Sequence, residues 1–491
     1  MEKQLLLAID AGTTGIRTIL YDRRGQEVAR SYREFRQITP APGLLEHDPM
    51  EIWEVTRGLM QETLQKARIE PADVAAIGVT GQRATTLVWD RATGQPLYNA
   101  LVWQDLRTYR RCMELSQALG FTVSPIASLT KMEWLLQNVP GAREKVAEGE
   151  ALVGTLDTWL IWKLTAGKAF VTDPSNACTT LLWDPGTGDW NPRLAGLAGV
   201  PVEALAKVSP SSGVYGETAS AVFGAPVPVA AVAGDQQAAM FGQLCVAPGE
   251  GKATYGTSVM VDVNTGSNWL PVEGAYPLAL WRMGGHDLFC LEGTVITGGA
   301  SVGWARDMRL LDSPQESSAL AAQVPDSGGV FFVPALQGLG TPYMDHAVKG
   351  GLVGLTRATT RAHVARALLE GIAFRTRQVV ESLRALSPVP SFPSLRVDGG
   401  MAENDLFLQI QADVLGVPVE RPATSQVTAL GIASMAGLAV GYWNSVDELR
   451  ATRAPGLTFL PGEGAAALQE RFAVWQEAVE ALRSLAGRTA R

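Results

Sequence analysis

The chain has 491 residues, 46% of them apolar and 18% charged, and its formal net charge is −8. That length predicts two or three domains with sizeable cores, and the composition excludes general disorder. The acidic balance excludes a broad nucleic-acid footprint, which needs clustered Lys and Arg. The four cysteines (Cys112, Cys178, Cys245 and Cys290) form no CxxC or Cys/His cluster, so buried reduced thiols are expected.

In chain order, the opening MEKQLLLAID places an Asp after only a short apolar run, unlike a signal peptide, so a cytoplasmic location is expected. The first strand is read from Gln4 to Ile9 and stops at Asp10-Ala-Gly-Thr-Thr-Gly15. A second runs from Ile16 to Tyr21, and a third begins at Glu27, which together read as an antiparallel meander. Asp48 then makes a good N-cap and Pro49 a good first residue for a helix carrying Ile52, Val55, Leu59 and Leu64 on one face. The continuous apolar run Val74–Val79 predicts a strand buried on both faces, ending at Thr80-Gly-Gln-Arg83.

The later chain repeats this grammar. A strand at Lys252–Tyr255 meets Gly256-Thr257-Ser258, and Val259–Val263 continues as a strand. Arg361–Leu386 predicts a long amphipathic helix, and Leu395-Arg-Val-Asp-Gly-Gly400 predicts a strand entering a glycine turn. The segment from Ser425 to Val446 carries no charge but holds glycines, Gln426, Thr428 and Ser434. It is therefore read as a closely packed buried helix rather than a membrane span. Two halves that each start with a strand–turn–strand unit suggest an old duplication, with domains at 1–245 and 246–491.

Three turns and one strand tip suit phosphate chemistry. Small residues and hydroxyls in Asp10–Gly15 let a hairpin approach polyphosphate closely, and a carboxylate at the strand end suits Mg²⁺ held through water. Tyr255-Gly-Thr-Ser258 is a turn of the same type, while Gly249-Glu-Gly-Lys-Ala253 lacks the glycine and terminal hydroxyl of a Walker loop. Gly399-Gly400 with Asn404 permits close approach of a flat or anionic ligand. At Asp235 an apolar strand delivers a carboxylate to its tip, as general-base transfer to an alcohol requires, and a helix N-cap fits that position equally well. Trp103 reads either as core or as a wall for a carbon chain, and the four histidines are too scattered for a metal centre or a triad.

Together these segments resemble the FGGY carbohydrate kinases, most of all their glycerol kinase branch. The likeness runs from Leu5 to about Trp443 and includes Gly43–Trp53, Gly154–Lys163, Gly234–Cys245, Pro334–Tyr343 and Arg396–Gly400. The resemblance implies an α/β fold of two actin-like (ribonuclease H-like) ATPase domains around a central cleft. It implies that Thr13, Thr14, Gly15 and Arg17, with Gly256, Thr257, Gly299, Gly400 and Asn404, bind ATP, and that Asp10 and Asp235 lie near Mg²⁺. It makes Asp235 the catalytic base, and Arg83, Trp103, Asp235 and Gln236 contacts to a small polyol or sugar. It also implies a homodimer or homotetramer, and neither a nucleic-acid nor a membrane partner.

Four positions depart from the glycerol kinase pattern: its Arg-Glu pair is Arg83-Ala84, a tyrosine is Ile126, a phenylalanine is Met260, and a glutamine near the nucleotide is Gly303. The first three are pocket positions, which points to an acceptor one or two carbons longer than glycerol, with Ala84 leaving room for it. A pentulose kinase of the same family and a non-catalytic nucleotide switch, as in actin or Hsp70, stay open at this stage. Asp235 with Arg83 and Gln236 argues against the switch, which has no need of a base facing a second ligand.

Overall fold

The computed structural model describes residues 5–489. Gln4, where the sequence reading starts the first strand, lies outside them. The chain falls into two compact units. One comprises the chain up to Leu244 with Leu278–Leu288 and Gln426–Ala454; the other comprises Cys245–Pro277, Phe289–Ser425 and the chain from Pro455 on. The passage at Leu244/Cys245 lies where the sequence turns Gly- and Pro-rich, but two later segments return to the first unit, so the units are not contiguous halves.

The first unit is built on a six-stranded mixed sheet. Its strands are β1 (Leu5–Ala11), β2 (Gly15–Tyr21), β3 (Glu27–Glu34), β4 (Val74–Gly81), β5 (Ser212–Glu217) and β6 (Pro228–Gly234), in the order β5-β6-β4-β1-β2-β3. Every residue of β1 is buried, as the apolar run Leu5–Ile9 requires, and Asp10 near its end is buried with it. Helix α1 (Pro49–Ala67) starts where expected: Asp48 accepts from the N–H groups of Met50 and Glu51, and Pro49 occupies the first position. Such a cap contributes about 0.5–2 kcal/mol. Helix α2 (Asp235–Gly242) leaves directly from β6. Short strands at Glu46–His47, Ala100–Leu101, Thr86–Asp90 and Ala151–Thr155 form a separate four-stranded sheet.

A seven-stranded sheet, its core strands in the second unit, uses β7 (Gly251–Tyr255), β8 (Val259–Gly266), β9 (Tyr276–Met283), β10 (His286–Val295), β11 (Leu395–Asp398), β12 (Val419–Arg421) and β13 (Leu457–Phe459). Of these, the Leu278–Leu288 stretch of β9 and β10 groups with the first unit. Their order is β9-β10-β8-β7-β11-β12-β13. The pairings of the first sheet recur in it. β7 is antiparallel to β8 as β1 is to β2, and parallel to β11 as β1 is to β4. β8 is antiparallel to β10 as β2 is to β3. β11 runs parallel to β12 as β4 does to β6, and β12 closes on an antiparallel edge as β6 does. The suggested duplication is thus visible as topology. The core forms around α3 (Gly299–Asp307), α4 (Arg361–Leu386) and α5 (Asp405–Leu415), with Val364, Leu368, Ile372, Val379 and Leu383 of α4 all buried.

The uncharged stretch forms α6 (Val427–Ala439), which packs on α2 and on β1, β4 and β6. Glycines permit this approach. A Cβ on Gly242 would stand 1.9 Å from the Val427 carbonyl oxygen, and one on Gly431 1.8 Å from that of Ala238. No helix among the described residues is long and apolar enough to cross a membrane, and all four cysteines are buried.

Candidate active site

In the first unit three parallel strands end level with one another. Asp10 pairs with Thr80, Ala11 with Gly81, and Gly81 with Gly234. Ligands of open α/β sheets bind beyond such carboxyl ends. Asp10 is 8% exposed, and its Oδ2 lies 3.4 Å from Arg17 Nε. Burial pushes its carboxyl up to about 6, against the pull of Arg17 and with a further push from Asp235. The register Ala11–Gly81–Gly234 brings the two carboxylates to the same end of the sheet. Asp235 is the first residue of α2, with Gly234 at the N-cap. Its side chain stays about one-third exposed (32%), accepts the Gln236 N–H at 2.8 Å and stands 3.5 Å from Arg83 Nε. Gln236 follows it, half-buried.

The turn between β1 and β2 is held from behind by side chains. Gln82 Nε2 donates to the Gly12 carbonyl at 3.3 Å, and Gln37 Nε2 to the Thr13 carbonyl at 3.0 Å. His47, fully buried, joins the two glutamines: its Nε2 lies 2.9 Å from Gln37 Oε1 and its Nδ1 3.3 Å from Gln82 Nε2. An acceptor on one side and a donor on the other require a neutral ring with its proton on Nε2. Burial lowers the His47 pKa to about 4, in agreement. With both carbonyls engaged, the turn's N–H groups and hydroxyls are left for a ligand. Trp103 Nε1 donates to Thr13 Oγ1 at 3.1 Å, and the Trp103 amide to Thr85 Oγ1 at 3.3 Å. Thr85 in turn donates to Gln82 Oε1 at 2.8 Å. Thr14 is exposed, Gly15 packs against Tyr32, and Arg17 donates to Gln426 Oε1 at 2.8 Å.

In the second unit the groups form a shelf of glycine turns at the end of β7. The Gly256 carbonyl accepts from Gly299 N–H at 2.9 Å, and that of Thr257 from Gly298 and Ala300 N–H, each at 3.0 Å. Gly399 adopts φ +87° directly against Tyr255, where a Cβ would lie 2.5 Å from the Tyr255 carbonyl oxygen. Only glycine meets both demands. Gly400 beside it is exposed with open space around its α-carbon. Asn404 caps α5, its Oδ1 accepting from Phe407 N–H at 3.0 Å, so the cap occupies its carbonyl oxygen and not its amide NH₂.

Each unit therefore gathers its own set: Asp10, Thr13, Thr14, Gly15, Arg17, Arg83, Trp103, Asp235 and Gln236 in the first, and Gly256, Thr257, Gly299, Gly400 and Asn404 in the second. Among the described residues no three His, Cys, Asp or Glu side chains form a metal cluster. Two neighbouring carboxylates suit Mg²⁺ that takes its remaining ligands from phosphate and water. Gln37, Gln82, Thr85 and His47 were not singled out from the sequence. Gln82 lies inside the Thr80–Arg83 turn, and His47 directly precedes the Asp48-Pro49 cap signal.

The pocket departures are placed as follows. Ala84 has φ +59° and is completely buried, its carbonyl accepting from Thr86 Oγ1 at 3.0 Å and Ser128 Oγ at 3.2 Å. Ala84 has no exposed surface, so the room expected at that position is not open space in this structure. Ile126 is exposed (45%), Met260 is half-buried on β8, and Gly303 on α3 has open space where a Cβ would stand.

Two family models match the chain: the N-terminal domain of the FGGY family of carbohydrate kinases over residues 5–242, and its C-terminal domain over residues 251–440. Glycerol kinase 2 of Thermotoga maritima is 45% identical over 485 residues, covering 96% of this chain and 98% of the relative. Glycerol kinase of Symbiobacterium thermophilum is 46% identical over 497 residues, covering 99% and 100%. The crystal structure of Plasmodium falciparum glycerol kinase with ADP superposes with a TM-score of 0.92 at 32% identity, covering 98% of each chain.

Proposed function

Since this chain belongs to the FGGY family of carbohydrate kinases, and is an ATP-dependent phosphotransferase with an alcohol acceptor, we propose that it phosphorylates a hydroxyl of a short open-chain polyol of the glycerol class with Asp235 as base. The observation that carries this reading is the β6 tip, where a partly exposed carboxylate stands 3.5 Å from Arg83 Nε. Arg83, Trp103 and Gln236 hold the acceptor. Its hydroxyl oxygen attacks the γ-phosphorus in line, its proton passes to an Asp235 carboxylate oxygen, and the bond to the bridging oxygen of ADP breaks. The products are the phosphate ester and ADP, and Asp235 returns its proton to solvent.

Thr13, Thr14, Gly15 and Arg17 bind the phosphates from the first unit, and Gly256, Thr257, Gly299, Gly400 and Asn404 bind the nucleotide from the second. Asp10 and Asp235 would hold Mg²⁺, through water. When bound, the ion supplies positive charge that neutralises the transferring phosphoryl group.

Asp235→Asn is expected to keep ATP binding and lose about 10²–10⁴-fold in kcat. A purified variant that retains more than about a tenth of the wild-type rate removes Asp235 as base.

A second reading, an acceptor one or two carbons longer, is favoured by two observations: Ala84 has no carboxylate to accept from glycerol's hydroxyls, and Ile126 is exposed rather than closing a wall. A lost charged hydrogen bond is worth roughly 1.5–3 kcal/mol. Comparing kcat/KM over three- to six-carbon polyols and ketoses decides it. Glycerol leading every other compound by about tenfold removes the second reading.

A further inference from the structure

Directly behind the Asp235 tip lies a buried polar cluster for which the transfer reaction has no evident use. Asp173, fully buried, precedes the short helix Pro174–Thr179 and accepts from the Asn176 amide at 3.1 Å and Asn176 Nδ2 at 2.9 Å. It also accepts from Ser211 Oγ at 2.6 Å and from Ser175 Oγ at 2.9 and 2.8 Å to its two oxygens. An N-cap needs only the Asn176 bond; the serines are additional.

Ser175 has a further role, since its Oγ accepts the Gly234 N–H at 2.8 Å. The direction of this chain is fixed by chemistry. A backbone N–H only donates and an ionised carboxylate only accepts, so the serine proton points to Asp173 and its lone pair to Gly234. Polarised chains of this kind strengthen each bond. Gly234 is the last residue of β6 and the N-cap of α2, immediately before Asp235. Ser211, which meets the other side of the same carboxylate, receives the Arg282 N–H at 3.0 Å and gives its carbonyl to Val232 N–H at 3.0 Å on β6. Burial raises the Asp173 pKa while the four donors (Ser211 and Ser175 hydroxyls, Asn176 amide and Asn176 side chain) oppose that rise.

We propose that Asp173, acting through Ser175, is a positioning residue for Asp235: the Asp173–Ser175–Gly234 chain fixes the turn from β6 into α2 and thereby the direction of the base. This rests on the reading of Asp235 as base, and the test separates the two. In the full-length enzyme, Ser175→Ala leaves the Gly234 N–H without its partner but keeps the fold's apolar contacts. Its kcat is expected to fall about ten- to a hundredfold, with KM for ATP and for glycerol within about threefold of wild type, and Ser175→Thr is expected to recover most of the rate. Because the effect passes through Asp235, adding Ser175→Ala to Asp235→Asn is expected to change the residual rate less than twofold.

A Ser175→Ala enzyme with wild-type kcat overturns the proposal, and so does an equal fold-loss in the Asp235→Asn background. Asp173→Asn provides a second measure. It keeps an acceptor for Ser175 but loses the charge, so its kcat should fall between those of wild type and Ser175→Ala. A rate below Ser175→Ala with unchanged melting temperature also counts against the proposal. Should Asp235→Asn itself stay active, the base assignment fails, whatever Ser175→Ala does.

Discussion

The turn after β1 and the turn after β7 occupy the same place in two sheets of the same pairing order, yet they are fixed by different means. In the first, side chains hold the carbonyls: Gln82 takes Gly12, Gln37 takes Thr13, and His47 links the two glutamines. In the second, backbone alone does it: the N–H groups of Gly298, Gly299 and Ala300 take the carbonyls of Gly256 and Thr257. A duplicated hairpin needs its carbonyls turned away from the ligand, and either solution achieves that. The difference lies in what can tune them. Side-chain backing responds to substitution and protonation, whereas backbone backing responds only to steric intrusion.

The largest effect is therefore expected at Gly299. A Cβ there would lie 2.6 Å from the Gly256 carbonyl oxygen, so Gly299→Ala must displace one of the two turns. Nucleotide affinity is expected to fall about tenfold to a hundredfold, as for a lost buried bond plus overpacking. Calorimetry with ADP checks this, and an unchanged Kd would mean that the second turn is not fixed from α3. Next is Gln82→Ala, which strips partners from Gly12, His47 and Thr85 at once. A rise of about five- to thirtyfold in KM for ATP follows from leaving buried groups unpaired, and a rise below twofold would deny Gln82 a part in shaping the turn.

His47 gives the comparison a pH dependence. Its folded pKa of about 4 lies below the ordinary 6.5, so the native state binds fewer protons than the unfolded state within that window. The stability contributed by the neutral ring is complete above the window and is lost as pH falls through it. Between pH 7 and pH 5 wild type is expected to lose about 2 kcal/mol more than His47→Gln in urea melts. Parallel curves would show that the ring is not buried neutral. The smallest effect belongs to Gln37→Ala. Gln37 is exposed, so water replaces its bond to Thr13 and KM for ATP should rise by less than about threefold. A change as large as that of Gln82→Ala would show that the two glutamines act as one unit.

Local signals were legible in the sequence where they coincided with local physics. The β1–β2–β3 meander, the Asp48-Pro49 cap and the Arg361–Leu386 helix form as their patterns require. Asp10–Gly15 and Asp235 were legible because an apolar strand ending in a polar or glycine turn marks a sheet's open end. Partnerships across sequence were not. The strands Glu46–His47 and Ala100–Leu101 are two residues long, too short to show alternation. The contacts of Gln37 with Thr13 and of Ser175 with Gly234 join segments that no period connects. At Ala84 a small residue suggests space, but the structure buries the residue completely on an αL backbone, its carbonyl held by Thr86 and Ser128, and no local pattern signals that burial.

Helix α6 carries a consequence for how the protein is made. The first unit's sheet is encoded before Leu244, but the helix that packs on β1, β4 and β6 comes from residues 427–439. A nascent chain that has just finished α2 therefore shows an uncovered face with Leu6, Ala8 and Gly78, shaped to receive another helix. Translation proceeds at about 5–20 residues per second, so that face waits on the order of ten seconds or more for its cover. Folding of the first unit is complete only after most of the second has been synthesised. Until then its open face is a surface that chaperones can protect and that a prematurely terminated chain would leave exposed to aggregation.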